Sequence, residues 1–415
     1  MDKRWSIFVL VLAANGCSGD GGSQPMAAGP DNTPAKTDSP AANTAAGAAA
    51  PSTTTSGPAS STPASMTATP AMPTMTTTPP ATPAMPGKPA ANSGNAGQPA
   101  GMDKPATDPG MTTPPPAMMD TTPTLFYLNN LGGVIRAGDD GKNVKTIVAA
   151  GSAGSGQDGI AVDVKNGHVF WTNMGAPSAD DGTLMRSDLD GKNVMTIVKS
   201  GGTFTPKQMK LDAQNGKLYW SDREGMRVMR SNLDGSMIET LVTTGTGDTD
   251  RRDASKWCVG IAIDLKAGKL YWTQKGGDNA HQGTIKRASL DLAGQDPAKR
   301  TDIEVLFAGL PEPIDLDIDY DKHMLYWTDR GDNTVSRAPL DPPAGVEPAM
   351  RKDREILVKN VSEAIGVTLD PGRNRMFYTS LGGTVGTSAM DGSMAHTLLS
   401  GQGTLTGIAL AELPK

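Results

Sequence analysis

The sequence predicts an all-β fold, a six-bladed β-propeller with four-stranded blades, preceded by a long disordered linker. Two observations lead to this prediction. The chain of 415 residues contains six Trp, six Tyr and six Phe, and none of these lies between Ser18 and Pro123. After Thr124 there are 16 aromatic residues, and 12 of them form six adjacent pairs spaced 44 to 55 residues apart. A repeat of about 50 residues with one fixed aromatic position is typical of propeller blades.

The first 17 residues predict an export signal. Lys3 and Arg4 form a short positive start, residues 5–14 form an apolar run, and Cys17 follows shortly after. The run is too short to span a bilayer as a helix, and no later segment has 18 continuous apolar residues. The end of the segment resembles a bacterial lipoprotein signal, which implies a lipid on Cys17 and an anchored protein at the cell envelope, facing the periplasm or the cell surface. An ordinary signal cleaved near Ala14 is the alternative.

Residues 18–123 predict a disordered linker. Its 106 positions hold 21 of the 32 prolines, with mostly Ala, Thr, Ser, Gly and Met between them. Such a segment lacks the large apolar side chains that would offset the entropy lost on ordering the chain. A flexible chain of this length reaches roughly 55–60 Å. We therefore expect the linker to hold the following domain clear of a membrane surface.

Residues 124–415 predict one propeller domain. The six aromatic pairs are Phe126-Tyr127, Phe170-Trp171, Tyr219-Trp220, Tyr271-Trp272, Tyr326-Trp327 and Phe377-Tyr378. Seven residues before five of these pairs an aspartate ends an alternating apolar run, which predicts an inner strand before each aromatic strand. These aspartates are Asp163, Asp212, Asp264, Asp319 and Asp370. Asp-Gly pairs further on suit a tight hairpin between a third and a fourth strand.

The two ends of this domain predict how the ring closes. The first aromatic pair has no inner strand before it, whereas Thr406 to Leu410 form an inner-strand pattern with no aromatic strand after it. We therefore expect strand 404–412 to pair with the N-terminal blade. A closed ring leaves no free edge strand to recruit another copy, which favours a monomer.

The repeat motifs, above all Tyr326-Trp327-Thr328-Asp329, resemble the YWTD (class B) repeats of the low-density lipoprotein receptor family. The resemblance covers residues 124–412 and is weakest in the first and last repeats. It implies a six-bladed β-propeller that binds proteins or releases ligands and is not a catalyst. The sequence therefore suggests a receptor-type propeller in a bacterial lipoprotein.

Most of the repeated residues are expected to build the scaffold. A large ring at one position per blade would fill the gap between neighbouring blades. The polar residue at the end of each aromatic motif is expected to hydrogen-bond loop backbone. Arginines that recur on the third strand are expected to form ion pairs between blades. They are Arg136, Arg186, Arg230, Arg287 and Arg337.

Two inner strands depart from the repeat and define a candidate channel site. Inner strands crowd the central axis, and most of them carry small residues at two positions that face it. At those positions one departing strand carries Gln208 and Lys210, and the other carries Asp315 and Asp317. The simpler interpretation is an ion pair between Lys210 and Asp317 that plugs the channel. The functional interpretation is a polar site for a ligand or a cation such as calcium, as in a metal-dependent lactonase- or lyase-like propeller enzyme. The chain offers no familiar catalytic motif, so we assign no catalytic or metal-ligating residue and no required cofactor.

The longest loops predict a binding surface. Residues 151–157, 175–182, 243–257 and 275–283 should all emerge on one face, and variable loops on one face are typical of recognition. The exposed charges that we expect to contact a partner are Asp180, Asp181, Arg223, Arg251, Arg252 and Asp278. The net charge is −6 and no basic stripe is present, which disfavours nucleic acid as the partner. We therefore expect an anchored binding or scaffold protein whose partner is a protein or a glycan, attached to the membrane through the N-terminal lipid only.

Overall fold

The structure, a computed structural model, describes residues 120–415. In that range 24 strands form six antiparallel sheets of four strands each. The predicted all-β fold and its six four-stranded blades are therefore confirmed. The export signal, the proposed lipid site Cys17 and all but the last few residues of the proposed linker lie outside the described residues.

We number the blades I to VI by their aromatic strands. Blade I contains β24 (Leu405–Pro414), β1 (Thr121–Asn129), β2 (Gly133–Gly138) and β3 (Lys145–Ala149). Blade II contains β4 (Gln157–Asp163), β5 (His168–Asn173), β6 (Thr183–Asp188) and β7 (Met195–Val198). Blade III contains β8 (Pro206–Asp212), β9 (Lys217–Asp222), β10 (Arg227–Asn232) and β11 (Glu239–Thr243).

The other three blades repeat this order from the axis outwards. Blade IV contains β12 (Cys258–Asp264), β13 (Lys269–Gln274), β14 (Gly283–Ser289) and β15 (Glu304–Leu310). Blade V contains β16 (Pro313–Asp319), β17 (Met324–Asp329), β18 (Thr334–Pro339) and β19 (Glu355–Val358). Blade VI contains β20 (Ala364–Asp370), β21 (Arg375–Ser380), β22 (Val385–Ala389) and β23 (His396–Leu399). The short helices α1 (Ala150–Ala153) and α2 (Gly247–Arg251) and the 3₁₀ turns Ala254–Lys256, Pro348–Met350 and Pro371–Arg373 lie in connections.

The chain ends build blade I together. The C-terminal strand β24 is the inner strand of this blade and pairs antiparallel with β1, with Thr124 opposite Ala411. β1 begins at Thr121, and Thr121 lies opposite Pro414, so residues 121–123 form part of the strand and are not part of the linker. The long C-terminal strand provides the backbone partners that extend β1 in this direction.

The aromatic pairs are buried in the six interfaces between blades. Neighbouring residues on a strand point to opposite faces of the sheet, so the two rings of one pair face different neighbours. Phe126 of blade I packs in one core cluster with Trp171 of blade II, and Phe170 of blade II packs with Trp220 of blade III. The other four interfaces follow the same rule. The predicted packing role is confirmed, since none of the twelve rings is more than 5% exposed.

Every inner strand carries a β-bulge at the same place. In blade V, Pro313 lies opposite Asp329 and Leu316 lies opposite Trp327, so three steps on the inner strand match two on the aromatic strand. The equivalent shift occurs in the other five blades. A bulge turns an extra side chain toward the same side of the sheet and disrupts the local ladder. The N–H group that lost its ladder partner there needs another acceptor.

A threonine hydroxyl provides that acceptor and also connects the blade to the next one. Thr328 accepts a hydrogen bond from the N–H of Asp315 at 3.0 Å and donates one to the carbonyl of Ile365 in blade VI at 2.6 Å. Thr172, Thr273 and Thr379 make the same two contacts in blades II, IV and VI. We call this double contact the interblade hydroxyl bridge. It explains why the third residue of four of the six aromatic motifs is a threonine.

The two remaining blades replace the bridge with single bonds. In blade III, Ser221 donates to the carbonyl of Gly260 at 2.9 Å. Blade I has Leu128 at this position, and the hydroxyl of Thr406 on its inner strand instead donates to the carbonyl of Gln157 at 2.9 Å. The polar residue that follows bonds to loop backbone in five blades, as when Asp329 accepts from the N–H of Glu312 at 2.9 Å, whereas Asn173 of blade II bonds the side chain of Thr183.

The third-strand arginines do not behave alike. Arg230 and Arg287 each bond a glutamate of their own blade and an aspartate of the next, so the predicted interblade ion pairs are confirmed for these two. Arg337 pairs with Glu355 of its own blade at 2.8 Å and donates to a carbonyl of blade VI. Within residues 120–415, Arg136 and Arg186 have no carboxylate partner, so the prediction is wrong for them. Their own fourth strands carry Lys145 and Met195 where blade III has Glu239.

The interblade hydroxyl bridge can be tested by removing one hydroxyl. Thr328→Val keeps the shape of the side chain but leaves the N–H of Asp315 and the carbonyl of Ile365 buried without a partner. We expect a loss of about 2–4 kcal/mol in the free energy of unfolding, measured by urea denaturation. Thr328→Ser keeps the hydroxyl and should lose clearly less. Equal losses in the two variants would contradict the bridge.

Candidate binding face and central channel

One face of the ring carries a cavity at the mouth of the central channel. The starts of the inner strands and the ends of the aromatic strands meet on this face, together with the loops that were predicted to lie there. The cavity has a volume of about 270 Å³. We call it the mouth. Its inner ring is formed by the first bulge residue of each inner strand, namely Asp158, Lys207, Val259, Ile314, Ile365 and Thr406.

A second ring of residues surrounds the first. It consists of the residue that comes directly after each aromatic strand, namely Asn130, Met174, Arg223, Lys275, Arg330 and Leu381. The bulges explain why sequence periodicity alone did not reveal the inner ring. Strict alternation would turn Lys207 and Gln208 to opposite faces of the strand, but a bulge allows neighbouring residues to share one direction.

One side of the mouth is apolar. Val259, Ile314 and Ile365 come from blades IV, V and VI and form a single cluster, with Leu381 packed against it. Their side chains are at most 5% exposed, yet they line the cavity. The cavity therefore has an apolar wall that adds little to the exposed apolar area of the protein.

The opposite side of the mouth and its rim are charged. Lys207 is ion-paired with Asp158, and its burial lowers the pKa of the ammonium group below the ordinary lysine value. On the rim, Lys275 lies 2.6 Å from Glu312, and Arg330 lies 2.9 Å from the same carboxylate. Each of these charges is therefore held in place by an ion-pair partner within the protein.

An aromatic cluster extends the charged side of the mouth. The guanidinium of Arg223 lies 5.2 Å from the centre of the Trp257 ring, and the ammonium of Lys275 lies 5.6 Å from it. Arg251 covers the ring of Phe204 at 4.0 Å. The indole N–H of Trp257 donates to the carbonyl of Arg251 at 2.9 Å, which fixes the ring against α2. Both aromatic side chains are only partly buried.

The six loop residues predicted from the sequence separate into two groups. Arg223, Arg251 and Asp278 take part in the cluster and the rim, with Asp278 bonded to both Lys275 and Arg330 at 2.9 Å. The other three, Asp180, Asp181 and Arg252, are exposed but do not line the cavity. The carboxylate of Asp181 accepts the N–H of Ala176 at 2.8 Å and so stabilises its own loop.

Phe204 and Trp257 were not predicted to belong to the binding face, although the sequence carries a signal for them. Four aromatic residues after Thr124 lie outside the six pairs, and these are Phe204, Trp257, Phe307 and Tyr320. Two of the four lie in loops of the mouth face. An aromatic residue that breaks a strict repeat and falls in a variable loop is therefore a useful indication of a binding surface.

The predicted channel site is a set of internal contacts. Lys210 lies 3.7 Å from Asp317, which is the ion pair proposed by the simpler interpretation. Asp315 accepts the N–H groups of Leu316 at 2.8 Å and Val367 at 3.1 Å, and Asp317 accepts that of Leu369 at 3.1 Å. Both aspartates thus connect the inner strands of blades V and VI. Gln208 donates to Asp158 at 3.0 Å and supports the mouth.

No group of three or more potential metal-ligating side chains occurs within residues 120–415. The channel carboxylates are directed at backbone N–H groups and Lys210, as described above. Cys258 is fully buried, and burial raises the pKa of its thiol to about 12. The protein thus keeps this thiol in its neutral form.

The fold defines this protein as a six-bladed β-propeller with an aromatic motif in each blade and a cavity at one entrance of its central channel. The chain is 40% identical over 305 residues to the Pyricularia oryzae protein named low-density lipoprotein receptor-related protein 1, and the match covers 71% of this chain and 96% of that protein. The chain belongs to the low-density lipoprotein receptor-related family of YWTD β-propellers. No protein-family model matches it.

Two further relatives and one solved structure are similar to the chain. A Cochliobolus heterostrophus protein named 3-hydroxyacyl-CoA dehydrogenase-like protein LAM1 is 35% identical over 314 residues, which span 71% of this chain and 66% of that protein. Mouse nidogen-2 is 39% identical over 83 residues, only 5% of its length. A crystal structure of a nidogen/laminin complex has a TM-score of 0.54 at 21% identity, covering 70% of this chain and 98% of that one, and supports the fold.

The buried carboxyl of Asp315 provides a test of the channel. Burial raises its pKa to about 7, whereas the pKa of an aspartate in an unfolded chain is about 3.9. Between these two values the folded protein binds more protons than the unfolded one, so this group lowers stability as the pH rises from about 4 to about 7. Asp315→Asn removes that contribution.

The expected result concerns the difference between the two proteins. The free energy of unfolding of Asp315→Asn minus that of the parent should become more positive as the pH rises from about 4 to about 7. Urea denaturation at several pH values measures this difference. A lost hydrogen bond would shift the difference by the same amount at every pH and would not change how it varies with pH. A difference that does not vary with pH would contradict the raised pKa.

Proposed function

We propose that the propeller is a non-catalytic binding module whose mouth face recognises a protein partner. The observation that carries this proposal is the combination at one entrance of an apolar side, a charged rim and a partly buried tryptophan. Interfaces concentrate their energy in a few aromatic and arginine residues surrounded by polar groups that exclude water. Family membership supports the proposal, because the relatives carry the names of a receptor-related protein and of nidogen.

A protein side chain fits the mouth better than a sugar does. Val259, Ile314 and Ile365 offer a strip without hydrogen-bonding side chains, next to the ion pair of Lys207 and Asp158. An amphipathic segment with one apolar and one polar residue would use both halves, whereas a glycan would leave the apolar strip uncovered. The solved nidogen is in a complex with laminin, which is a property of that protein and a precedent for this architecture.

Catalysis is the weaker candidate for the channel. A lactonase- or lyase-like site would need side chains free to hold a metal or a substrate. Asp315 and Asp317 instead accept hydrogen bonds from blade VI, and Gln208 is bonded to Asp158. We therefore propose that these residues hold the inner strands in register and that calcium is not required for binding.

We further propose that the protein is exported and anchored by a lipid on Cys17, with the linker as a tether. The sequence of residues 1–17 supports export, as argued above. Within residues 120–415 no helix is long and apolar enough to cross a membrane. A lipid at the N-terminus would hold the propeller outside the cytoplasm at a bacterial envelope, with its mouth free to meet a partner. We also propose that the propeller is a monomer.

The binding face can be tested with two matched substitutions. Trp257→Ala removes the ring held between Arg223 and Lys275, while Tyr320→Ala removes a 48% exposed ring from the opposite face. Proteins captured from surface extracts by the parent should be identified by mass spectrometry and their affinities measured. We expect Trp257→Ala to weaken binding by roughly thirtyfold or more, as for a central interface tryptophan.

The control determines how the result is interpreted. Tyr320→Ala should bind like the parent. Each variant loses one hydrogen bond to a backbone carbonyl, that of Arg251 for Trp257 and that of Ile263 for Tyr320, so we expect similar losses in the free energy of unfolding and a single cooperative urea transition for both. If Trp257→Ala folds and binds as tightly as the parent, the mouth face is not the recognition surface.

The anchor has its own test. The full chain should be expressed in a bacterial host that processes lipoproteins, with labelled palmitate, and compared with Cys17→Ser. We expect label in the parent, none in the variant, and a mature N-terminus at Cys17 by mass spectrometry. A mature chain that begins near Ala14 without label would contradict lipid attachment and favour an ordinary signal.

A further inference from the structure

The cleft between blades I and II contains two cations that have no carboxylate partner within residues 120–415. Arg136 on β2 lies directly opposite Lys145 on β3 in the strand register. Both side chains line a cavity of about 340 Å³ together with Thr122, Thr124 and Asn143. Like charges directly opposite each other on neighbouring strands destabilise a sheet, so this pair requires an explanation.

The other blades show what normally occupies this place. In blades III, IV and V the arginine lies opposite a glutamate, and the pairs are Arg230–Glu239, Arg287–Glu304 and Arg337–Glu355, at 2.7 to 2.8 Å. The same register position in blade I holds Lys145. Blade I therefore has an additional positive charge where three other blades supply a negative one.

The neighbouring blade does not compensate. In blades IV and V an aspartate of the following hairpin reaches back to the arginine, as Asp291 does to Arg230 at 3.6 Å. The equivalent residue of blade II is Asp190, which lines the cleft but bonds Lys192 at 2.8 Å. Asp190 is thus paired with Lys192 and makes no ion pair with Arg136 or Lys145, so these two positive charges outnumber the one carboxylate that lines the cleft.

A matched cleft exists between blades III and IV. It has the same volume of about 340 Å³ and contains Arg230, but its charge is balanced by Glu239 and Asp291. Both clefts contain the third-strand arginine and the hairpin aspartate of the next blade, and the residue opposite the arginine is Lys145 in one and Glu239 in the other. Asp212 and Lys217 also line the blade III–IV cleft, so it is a related cleft and not an identical one.

We propose that the blade I–II cleft binds a tetrahedral oxyanion, a sulfate or phosphate ester group. A guanidinium provides a planar pair of N–H donors that suits a tetrahedral oxyanion, and a lysine beside it adds a second charge. An anion between Arg136 and Lys145 would replace the glutamate that the other blades supply. The cleft includes the hairpin residue Asn143, at the end of blade I away from the mouth. The site is therefore independent of the proposed protein-binding face.

The decisive variant restores the repeat. Lys145→Glu recreates the arginine–glutamate pair of the other blades, so it should fold at least as well as the parent. Titration calorimetry of the full chain with inorganic sulfate and inorganic phosphate at low ionic strength should show one saturable site in the parent. We expect Lys145→Glu to weaken that binding by about tenfold or more.

The converse variant should create a site. Glu239→Lys combined with Asp291→Asn removes both carboxylates that pair with Arg230 and places a lysine opposite it, and we expect a second equivalent of anion to bind. Titration with glucose 6-sulfate and glucose 6-phosphate then distinguishes the two ester types, since the tighter of the two identifies the group.

Three results would overturn the proposal. One is a parent that shows no saturable binding of either inorganic anion. Another is a folded Lys145→Glu protein that binds as tightly as the parent. The third is a folded double variant without a second site, because charge in this architecture would then not be sufficient to bind an oxyanion.

Discussion

The structure depends on one hydrogen-bonding group, the threonine hydroxyl at the third position of the aromatic motif in blades II, IV, V and VI. A bulge on the inner strand leaves one N–H without a partner, and the hydroxyl accepts from it while donating to the inner strand of the next blade. One side chain therefore satisfies the backbone within its blade and sets the distance to its neighbour. Because the bulge also directs an extra residue to the channel entrance, the bond that joins the blades also shapes the mouth.

The adjacent rings complete this arrangement at the opposite faces of each blade. Since alternate residues on a strand face opposite ways, two consecutive aromatic residues supply one ring to each interface. Phe170 and Trp171 do this for blade II, and the same division holds around the ring. The blades are thus joined by large apolar contacts in their middle layers and by a directed hydrogen bond near the axis.

The repeat allowed the sequence to predict most of the fold. The spacing of the pairs indicated six blades, and the aspartates seven residues earlier marked the inner strands. The mouth was less predictable, because Lys207 and Ile314 face it only through a bulge that alternation does not reveal. The cluster of Trp257 with Arg223 and Lys275 joins residues from three loops, and such contacts depend on how neighbouring blades pack. The arginines formed one series in the sequence, but their partners on the fourth strand differ from blade to blade.

The shared construction of blade I has a mechanical consequence. Asp120 and Lys415 lie side by side, with their charged atoms 2.6 Å apart, at the start of β1 and the end of β24. If the chain is pulled at Asp120 while the mouth face is held by a bound partner, the force acts along β1. Its bonds to β24 and β2 are perpendicular to that direction, so they bear the load together and are not broken one after another. The strand that closes the ring is thus oriented to carry tension through the protein.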